Sequence, residues 1–162
     1  MRAFEPVPMK ASDHEAIRLL SRSLGRSSEP SRFGDLECQL VLKDESGRLI
    51  GWGRAAWWDP NDDSAPAGYY LSGVEIAREF QQRGYASRLT AARLAWIAQR
   101  AQQAWCVVNE RNSESLRLQA SFGFKEITRA DHFGSVGFTG GSGVLLRKDL
   151  TEAARNLTAD LI

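Results

Sequence analysis

The chain has 162 residues, 43% of them hydrophobic and 25% charged, and its formal net charge is +1. These values predict one ordinary globular domain, 1–150, followed by a C-terminal tail, 151–162. A net charge so close to zero gives no electrostatic reason to expect nucleic acid or an anionic membrane as a partner. No apolar run approaches the ~20 residues that cross a bilayer, and the segment MRAFEPVPMK lacks the apolar centre of a signal peptide, so the sequence predicts a cytoplasmic protein.

Cysteine and histidine are too scarce for a metal centre. Cys38 and Cys106 lie in apolar, strand-like runs and are predicted to be buried, reduced thiols. His14 and His132 lie far apart in the sequence, with no cysteine or histidine cluster around either of them. The sequence therefore predicts no metal site.

Hydrophobic periodicity and turn residues predict a sheet accompanied by helices. In chain order the elements are an edge strand at Ala3–Pro8, a helix ended by Gly25, strands at Leu36–Lys43, Leu49–Trp58 and Gly68–Ile76, a helix at about Gly84–Ala101, a strand at Trp105–Asn109, a helix capped by Asn112 or Ser113 and ending near Ser121, and strands at Phe124–Arg129 and Val144–Lys148. Three consecutive strands followed by alternating helices and strands predict an α/β (mixed α+β) domain with a central mixed sheet flanked by helices on both faces.

The most informative segment follows the strand Gly68–Ile76. It reads Gln81-Gln82-Arg83-Gly84-Tyr85-Ala86, and an amphipathic helix begins within it. A glycine turn at a helix N-terminus presents unpaired N–H groups and the positive end of the helix dipole to a ligand. A helix start with an incidental glycine would give the same bare pattern, Q-x-x-G-x-A. The preceding strand and the small Ala86 favour a phosphate-bearing ligand, to which Arg83 could add a charge-assisted bond.

A second run begins where the strand Trp105–Asn109 ends. It reads N-x-x-S-x(7)-G-F, from Asn112 and Ser115 to Gly123 and Phe124. A helix cap and a C-terminal glycine explain these residues one by one. They do not explain why the run follows the first motif in the next strand–helix unit.

Together, the two motifs resemble those of the GCN5-related N-acetyltransferases over about Gly68–Arg129. The resemblance implies a single-domain fold of that family and acetyl-CoA as co-substrate. The strand backbone at Val74–Ile76 would hold the pantetheine arm, main-chain N–H groups of the turn would hold the pyrophosphate, and Asn112 and Ser115 would flank the thioester end. The residues expected to bind acetyl-CoA are Val74, Ile76, Gln81, Gln82, Arg83, Gly84, Tyr85, Ala86, Ser87, Asn112 and Ser115.

The implied reaction needs a neutral amine, because an alkylammonium, with a pKa near about 10.4, has no lone pair for attack on a thioester. A general base would take its proton, and a strand N–H would stabilise the oxyanion. Glu75, in an apolar strand beside the expected cleft, is the candidate base, and an ion-paired structural glutamate is the alternative. Gln119 stands where the family often has a tyrosine as general acid, so no acid is assigned.

The acceptor is less defined than the donor. Trp52, Trp57, Trp58 and Phe33 could line its pocket, and Asp59, Asp62 and Asp63 could attract a cationic amine, although core packing and turn chemistry explain the same residues. The predicted function is acetyl transfer from acetyl-CoA to a small-molecule or peptide amine by direct attack. The alternatives are an acyl-CoA-binding regulatory module without catalysis, another acyl donor or a hydroxyl acceptor, and a protein-interaction domain. Related folds often dimerise, so a homodimer through the C-terminal strand or tail is a further expectation.

Overall fold

The computed structural model describes residues 2–28, 30 and 37–150, and within them it has nine strands and three α-helices. These elements are β1 (Val7–Pro8), α1 (His14–Ser23), β2 (Glu37–Lys43), β3 (Leu49–Trp58), β4 (Gly68–Ile76), α2 (Tyr85–Ala98), β5 (Gln103–Asn109), α3 (Ser113–Ser121), β6 (Lys125–Ala130), β7 (His132–Phe133), β8 (Val136–Gly137) and β9 (Gly143–Asp149). Single 3₁₀ turns at Ala11–Asp13 and Arg78–Phe80 precede α1 and α2.

Seven of the strands form one mixed sheet in the order β1-β2-β3-β4-β5-β9-β6. β4 and β5 run parallel, with Tyr70 opposite Trp105, while β9 runs antiparallel to both β5 and β6. β1 pairs with β2 at the edge, where its proline removes a backbone donor without interrupting a central ladder. The mixed α+β class predicted from the sequence is confirmed.

The predicted bounds of β3 and β4 match the structure, whereas other elements differ at their ends. α2 ends at Ala98, earlier than predicted, because the N–H groups of Arg100 and Ala101 both turn back to the carbonyl of Ile97. The predicted loop from Ala130 to Gly143 contains the small hairpin of β7 and β8. The predicted tail 151–162, Phe33 and Leu36 lie outside the described residues.

The chain divides into two compact units, of which the first comprises Met1–Ala55 with Gly73–Arg93. It has two apolar clusters. One is built on Met9, Ile17, Leu20, Val41, Leu49, Trp52 and Ala77, and the other on Leu42, Ile50, Ile76 and Leu89. The second cluster packs the end of β4 and the start of α2 together, so the segment between these elements is held at both ends.

The second unit comprises Ala56–Ser72 with Leu94–Ile162. Its core is aromatic: the ring of Tyr70 lies edge-on to Trp58, with centroids 4.9 Å apart, and stacks on Trp105 at 6.2 Å. Phe133, fully buried, belongs to the same cluster as Leu145. Cys106 in this unit and Cys38 in the first are both buried thiols, as predicted.

Candidate functional site

The connection from β4 to α2 is closed by local hydrogen bonds. The N–H of Phe80 donates to the carbonyl of Ala77 at 2.8 Å and completes the 3₁₀ turn. The side-chain Nε2 of Gln81 donates to the carbonyl of Ile76 at 2.9 Å. This hydrogen bond fixes the loop to the last residue of β4. Gln81, the first residue of the Q-x-x-G-x-A motif, therefore stabilises the connection between the strand and the helix.

Two residues of the following 81–87 turn have left-handed backbone conformations. Gln82 has φ 60° and Gly84 has φ 84°. A Cβ added at Gly84 would meet no atom within 4 Å, so the glycine is needed for its backbone angle and not for space. These two reversals turn the chain from the strand direction into α2.

The turn ends in a helix N-terminus with unpaired donors. The first helical bond runs from the N–H of Arg88 to the carbonyl of Gly84 at 3.1 Å. Within the described part of the chain, the N–H groups of residues 82–87 have no backbone acceptor of this kind, and residues 82–84 are exposed. The dipole of the 14-residue α2 adds partial positive charge at this end. The arrangement offers the N–H donors and the partial positive charge that a phosphate group needs, and phosphate binding at this turn stays a prediction.

Aromatic side chains pack against the 81–87 turn. Tyr85 stacks on Phe4 with ring centroids 5.2 Å apart, and it belongs to the wall of the apolar cluster. The guanidinium of Arg83 lies 5.5 Å from the centre of the Phe80 ring and stays exposed. Arg88 donates to the carbonyl of Phe4 at 2.9 Å. Arg83 is therefore the cation of the motif that can reach toward an anion.

The end of β4 presents alternate side chains to opposite faces, as a strand must. The side chains of Val74 and Ile76 pack against the cluster that contains Leu89. Only the backbone groups of these two residues are therefore proposed to contact a ligand. The intervening Glu75 is only 3% exposed. This burial is compatible with both interpretations of Glu75, the candidate base and the ion-paired structural glutamate.

Glu75 is held by two donors from separate elements. The indole Nε1 of Trp52 lies 2.6 Å from its Oε1, and the hydroxyl of Ser21 lies 3.1 Å from its Oε2. The Nε atom of Arg26 stands 4.0 Å from Oε2. Trp52 is thus a core residue that orients the carboxylate. The role of Ser21 has no sequence signal, because it depends on how α1 packs.

In the second unit, Asn112 and Ser115 are joined by a cap. The Oδ1 of Asn112 accepts from the N–H of Ser115 at 3.1 Å at the start of α3. Asn112, one of the two caps that the sequence predicted, is the helix cap. The side-chain oxygen of the asparagine in the second motif is therefore engaged within the helix, while its amide nitrogen and the hydroxyl of Ser115 stay available.

Gln119 has no titratable proton at neutral pH, and the hydroxyl of Tyr70 is buried and already hydrogen-bonded. Gln119 is 4% exposed and its amide cannot titrate. Burial, with a smaller contribution from Cys106, raises the pKa of Tyr70 well above its usual value, and its hydroxyl donates to the carbonyl of Pro66 at 2.7 Å. Gln119 therefore cannot be a general acid, and no acid is assigned.

The Oε1 atom of Gln119 is buried without a hydrogen-bond partner among the described residues. An unpaired buried carbonyl costs about 1–3 kcal/mol, so Gln119→Met should raise the free energy of unfolding by up to that amount. Urea unfolding of both proteins measures the change, and Gln119→Glu, which buries a charge of the same shape, should lower it. A loss of stability in Gln119→Met beyond about 1 kcal/mol would contradict the absence of a partner.

The aspartates predicted as turn residues or amine ligands lie together beside a cavity of about 490 Å³ in the second unit. Asp59 and Asp62 each accept a hydrogen bond from a backbone N–H two residues ahead, which confirms the turn chemistry. Asp63 and the indole of Trp105 also line the cavity. Within the described chain, no group of three His, Cys, Asp or Glu side chains is placed to hold a metal ion.

Comparison with known proteins shows what this chain is similar to. A family model described as FR47-like protein matches residues 56–133. The ribosomal-protein-S18-alanine N-acetyltransferase of Escherichia coli is 14% identical with a TM-score of 0.69, and the alignment covers 90% of this chain and 93% of that one. A GCN5-related N-acetyltransferase of Kribbella flavida is 18% identical with a TM-score of 0.68, with 90% and 97% covered. These findings confirm the resemblance to the GCN5-related N-acetyltransferase family.

A further similar structure carries the co-substrate. The phosphinothricin acetyltransferase of Sinorhizobium meliloti, solved in complex with AcCoA, is 18% identical with a TM-score of 0.63, and 91% of this chain and 88% of that chain are covered. No curated protein matches the sequence significantly. In the part of the chain that is described, no helix is both long and apolar enough to span a bilayer. The chain shares the fold of these acetyltransferase structures.

Proposed function

We propose that this protein transfers an acetyl group from acetyl-CoA to an amine by direct attack. The observation that carries the proposal is the 81–87 turn, which places unpaired N–H groups at the start of α2 directly after β4. A pyrophosphate needs several donors converging on one point, and a helix N-terminus preceded by a glycine turn provides them. The family and the acetyl-CoA complex of a structural relative support the same ligand.

The backbone at Val74–Ile76 and the turn residues 81–87 would hold the ligand along one continuous stretch of chain. Arg83 would add its charge to the phosphates, and Tyr85 would form the wall beneath them. The resemblance adds Asn112 and Ser115 as contacts of the pantetheine arm. No metal is part of this proposal, because a thioester is already activated for attack by a neutral amine.

Glu75 would act as the base, directly or through a water molecule. The amine nitrogen forms a bond to the thioester carbon, the carbon–sulfur bond breaks, and the sulfur leaves as a thiolate. The amine proton passes to the Glu75 carboxylate, which Trp52 and Ser21 orient. With no acid assigned, the thiolate takes its proton from water.

The acceptor is proposed to be a small-molecule amine or the amine of a peptide. The structures similar to this chain include enzymes named for each kind of acceptor: an alanine N-acetyltransferase of a ribosomal protein and a phosphinothricin acetyltransferase. A solution homodimer is compatible with either acceptor. Light scattering at the assay concentration tests it, and a monomer mass would remove it.

The test combines binding and turnover. Release of free CoA thiol should be followed with acetyl-CoA and a panel of small amines, amino acids and peptides with free N-termini, together with the mass of each acceptor. An acceptor that gains one acetyl group in step with thiol release is the expected result. Binding of acetyl-CoA without turnover across the panel would favour the regulatory module, for which the amide at Gln119 is the specific argument. No binding at all would overturn the proposal.

A further inference from the structure

A buried arginine occupies the apolar face of α2. Arg93 is only 1% exposed. Its Nε donates to the carbonyl of Leu89 at 3.2 Å and its Nη2 to the hydroxyl of Thr90 at 3.2 Å, both within the helix. Its Nη1 donates to two carbonyls outside the helix, those of Arg54 at 2.8 Å and Gly73 at 3.1 Å. One guanidinium therefore links α2 to the backbones of β3 and β4.

This arrangement is costly, so it calls for a function that packing alone does not supply. An apolar residue at an inward position of a helix is ordinarily as stable as a buried charge or more so. β3 also accommodates the arginine: a Cβ at Gly53 would lie 3.1 Å from Nε and 3.3 Å from Cζ. The glycine leaves room for the guanidinium, which a side chain at this position would crowd.

The carbonyl that Arg93 reaches in β4 belongs to an irregular point of the strand. Gly73 has φ 52°, a left-handed conformation inside an otherwise extended segment. It comes directly before Val74–Ile76, the stretch whose backbone is proposed to hold the acyl-CoA arm, and it is two residues from Glu75. The hydrogen bond from Arg93 to the Gly73 carbonyl therefore lies at the residue where β4 changes direction, immediately before the part of the strand that is proposed to bind acyl-CoA.

We propose that Arg93 is a positioning residue, whose buried guanidinium fixes the left-handed turn at Gly73 and so aligns the β4 backbone and Glu75 for acyl transfer. This inference rests on the proposed function. The same helix that presents N–H groups to the phosphates thus also fixes the strand that presents the reacting end of the ligand. A displacement of about 1 Å in a reacting group can reduce the rate about 100-fold. Loss of the hydrogen bond between Arg93 and Gly73 should therefore lower turnover more than it weakens binding.

Arg93→Lys tests the proposal, because lysine keeps the charge but replaces the planar fork with a compact ammonium that cannot serve the same acceptors. Thr90→Val is the matched control: it removes the acceptor of Nη2 and leaves both carbonyl bonds of Nη1. For Arg93→Lys we expect kcat to fall about 10–100-fold and the Kd of CoA to change less than about threefold. Amide hydrogen exchange at residues 73–76 should become at least about tenfold faster than in the wild type, with no comparable change at α3. Thr90→Val should stay close to the wild type in all three.

A second pair of variants covers the case in which Arg93→Lys does not fold. A side chain at Gly73 meets no atom within 4 Å, so only the backbone angle is tested there. Gly73→Asn tolerates a left-handed angle and should retain kcat, whereas Gly73→Val resists it and should lower kcat with little change in CoA binding. Equal kcat in these two variants, or unchanged exchange at 73–76 in a folded Arg93→Lys, would overturn the inference.

The exchange measurement separates this inference from the proposed function. If the wild type transfers no acetyl group to any amine, the proposed function fails, and the kcat comparison fails with it. Exchange at residues 73–76 still shows whether Arg93 holds the strand. If the wild type is active and exchange in Arg93→Lys rises equally throughout the chain, the arginine is a general stabilising residue and the positioning role is wrong.

Discussion

Acetyl-CoA should raise the melting temperature of the wild-type protein, and Gly84→Asp should abolish this rise. A ligand present at about 100 times its Kd stabilises the folded state by about 2.7 kcal/mol, which corresponds to roughly 5–10 °C for a chain of this size. Aspartate at Gly84 places a carboxylate among the N–H groups that are proposed to hold the pyrophosphate. Like charges then meet at the ligand, and binding is lost. Thermal unfolding with and without millimolar acetyl-CoA measures both proteins.

Gly84→Asn is the matched control for this experiment. Asparagine has the shape of aspartate, tolerates the φ of 84° about equally, and carries no charge. Both variants should lose a similar fraction of baseline stability, but only Gly84→Asn should keep most of the shift with acetyl-CoA. If the two variants respond alike, the backbone angle matters and the charge does not. A full shift in Gly84→Asp would show that the phosphates bind elsewhere.

Glu75→Gln should reduce kcat about 100- to 10,000-fold, the usual contribution of a general base. The amide keeps the size of the carboxyl group: its oxygen can still accept from the Trp52 indole, and its NH2 group can donate to the Ser21 hydroxyl, so the fold and the KM for acetyl-CoA should change little. Because glutamine cannot take the proton of the amine, the limb of the pH–rate profile that reports a base should also disappear. Steady-state kinetics across pH measure all three properties.

Two controls make the Glu75 result specific. Glu126→Gln changes an exposed glutamate of the second unit, paired with Arg129, and should leave kcat unchanged. Trp52→Phe removes one donor to Glu75 while the carboxylate remains, so it should lower kcat less than Glu75→Gln and preserve the shape of the pH profile. A Glu75→Gln protein with the kcat and pH profile of the wild type would assign Glu75 a structural role.

Local sequence was sufficient to predict the elements that carry the candidate site. β3 and β4 are long apolar runs bounded by clear turn residues, and both have the predicted ends. Gly84 was predicted from its position between a strand and a helix, and its left-handed angle supplies the physical reason for the glycine. Such features depend on neighbours in the chain and can therefore be predicted without a structure.

Contacts between distant segments were not predictable in the same way. Ser21 and Glu75 are 54 positions apart in the sequence, and no local pattern would pair them. Arg93 did carry a signal: it lies four residues after Leu89 and four before Ile97, on the apolar stripe of α2, where a charged residue is out of place. Its partners could not be inferred, because backbone carbonyls leave no trace in the sequence.

α2 carries a donor-rich end at Gly84 and an anchor to β4 at Arg93, and this fixes the number of residues between them. The two positions are nine residues apart, about 13 Å along the helix axis at 1.5 Å per residue. One inserted or deleted residue would rotate one position relative to the other by about 100°, which would turn the guanidinium away from the strand. Sequences that share this arrangement can therefore differ in composition between these two residues, but not in the number of residues that separates them.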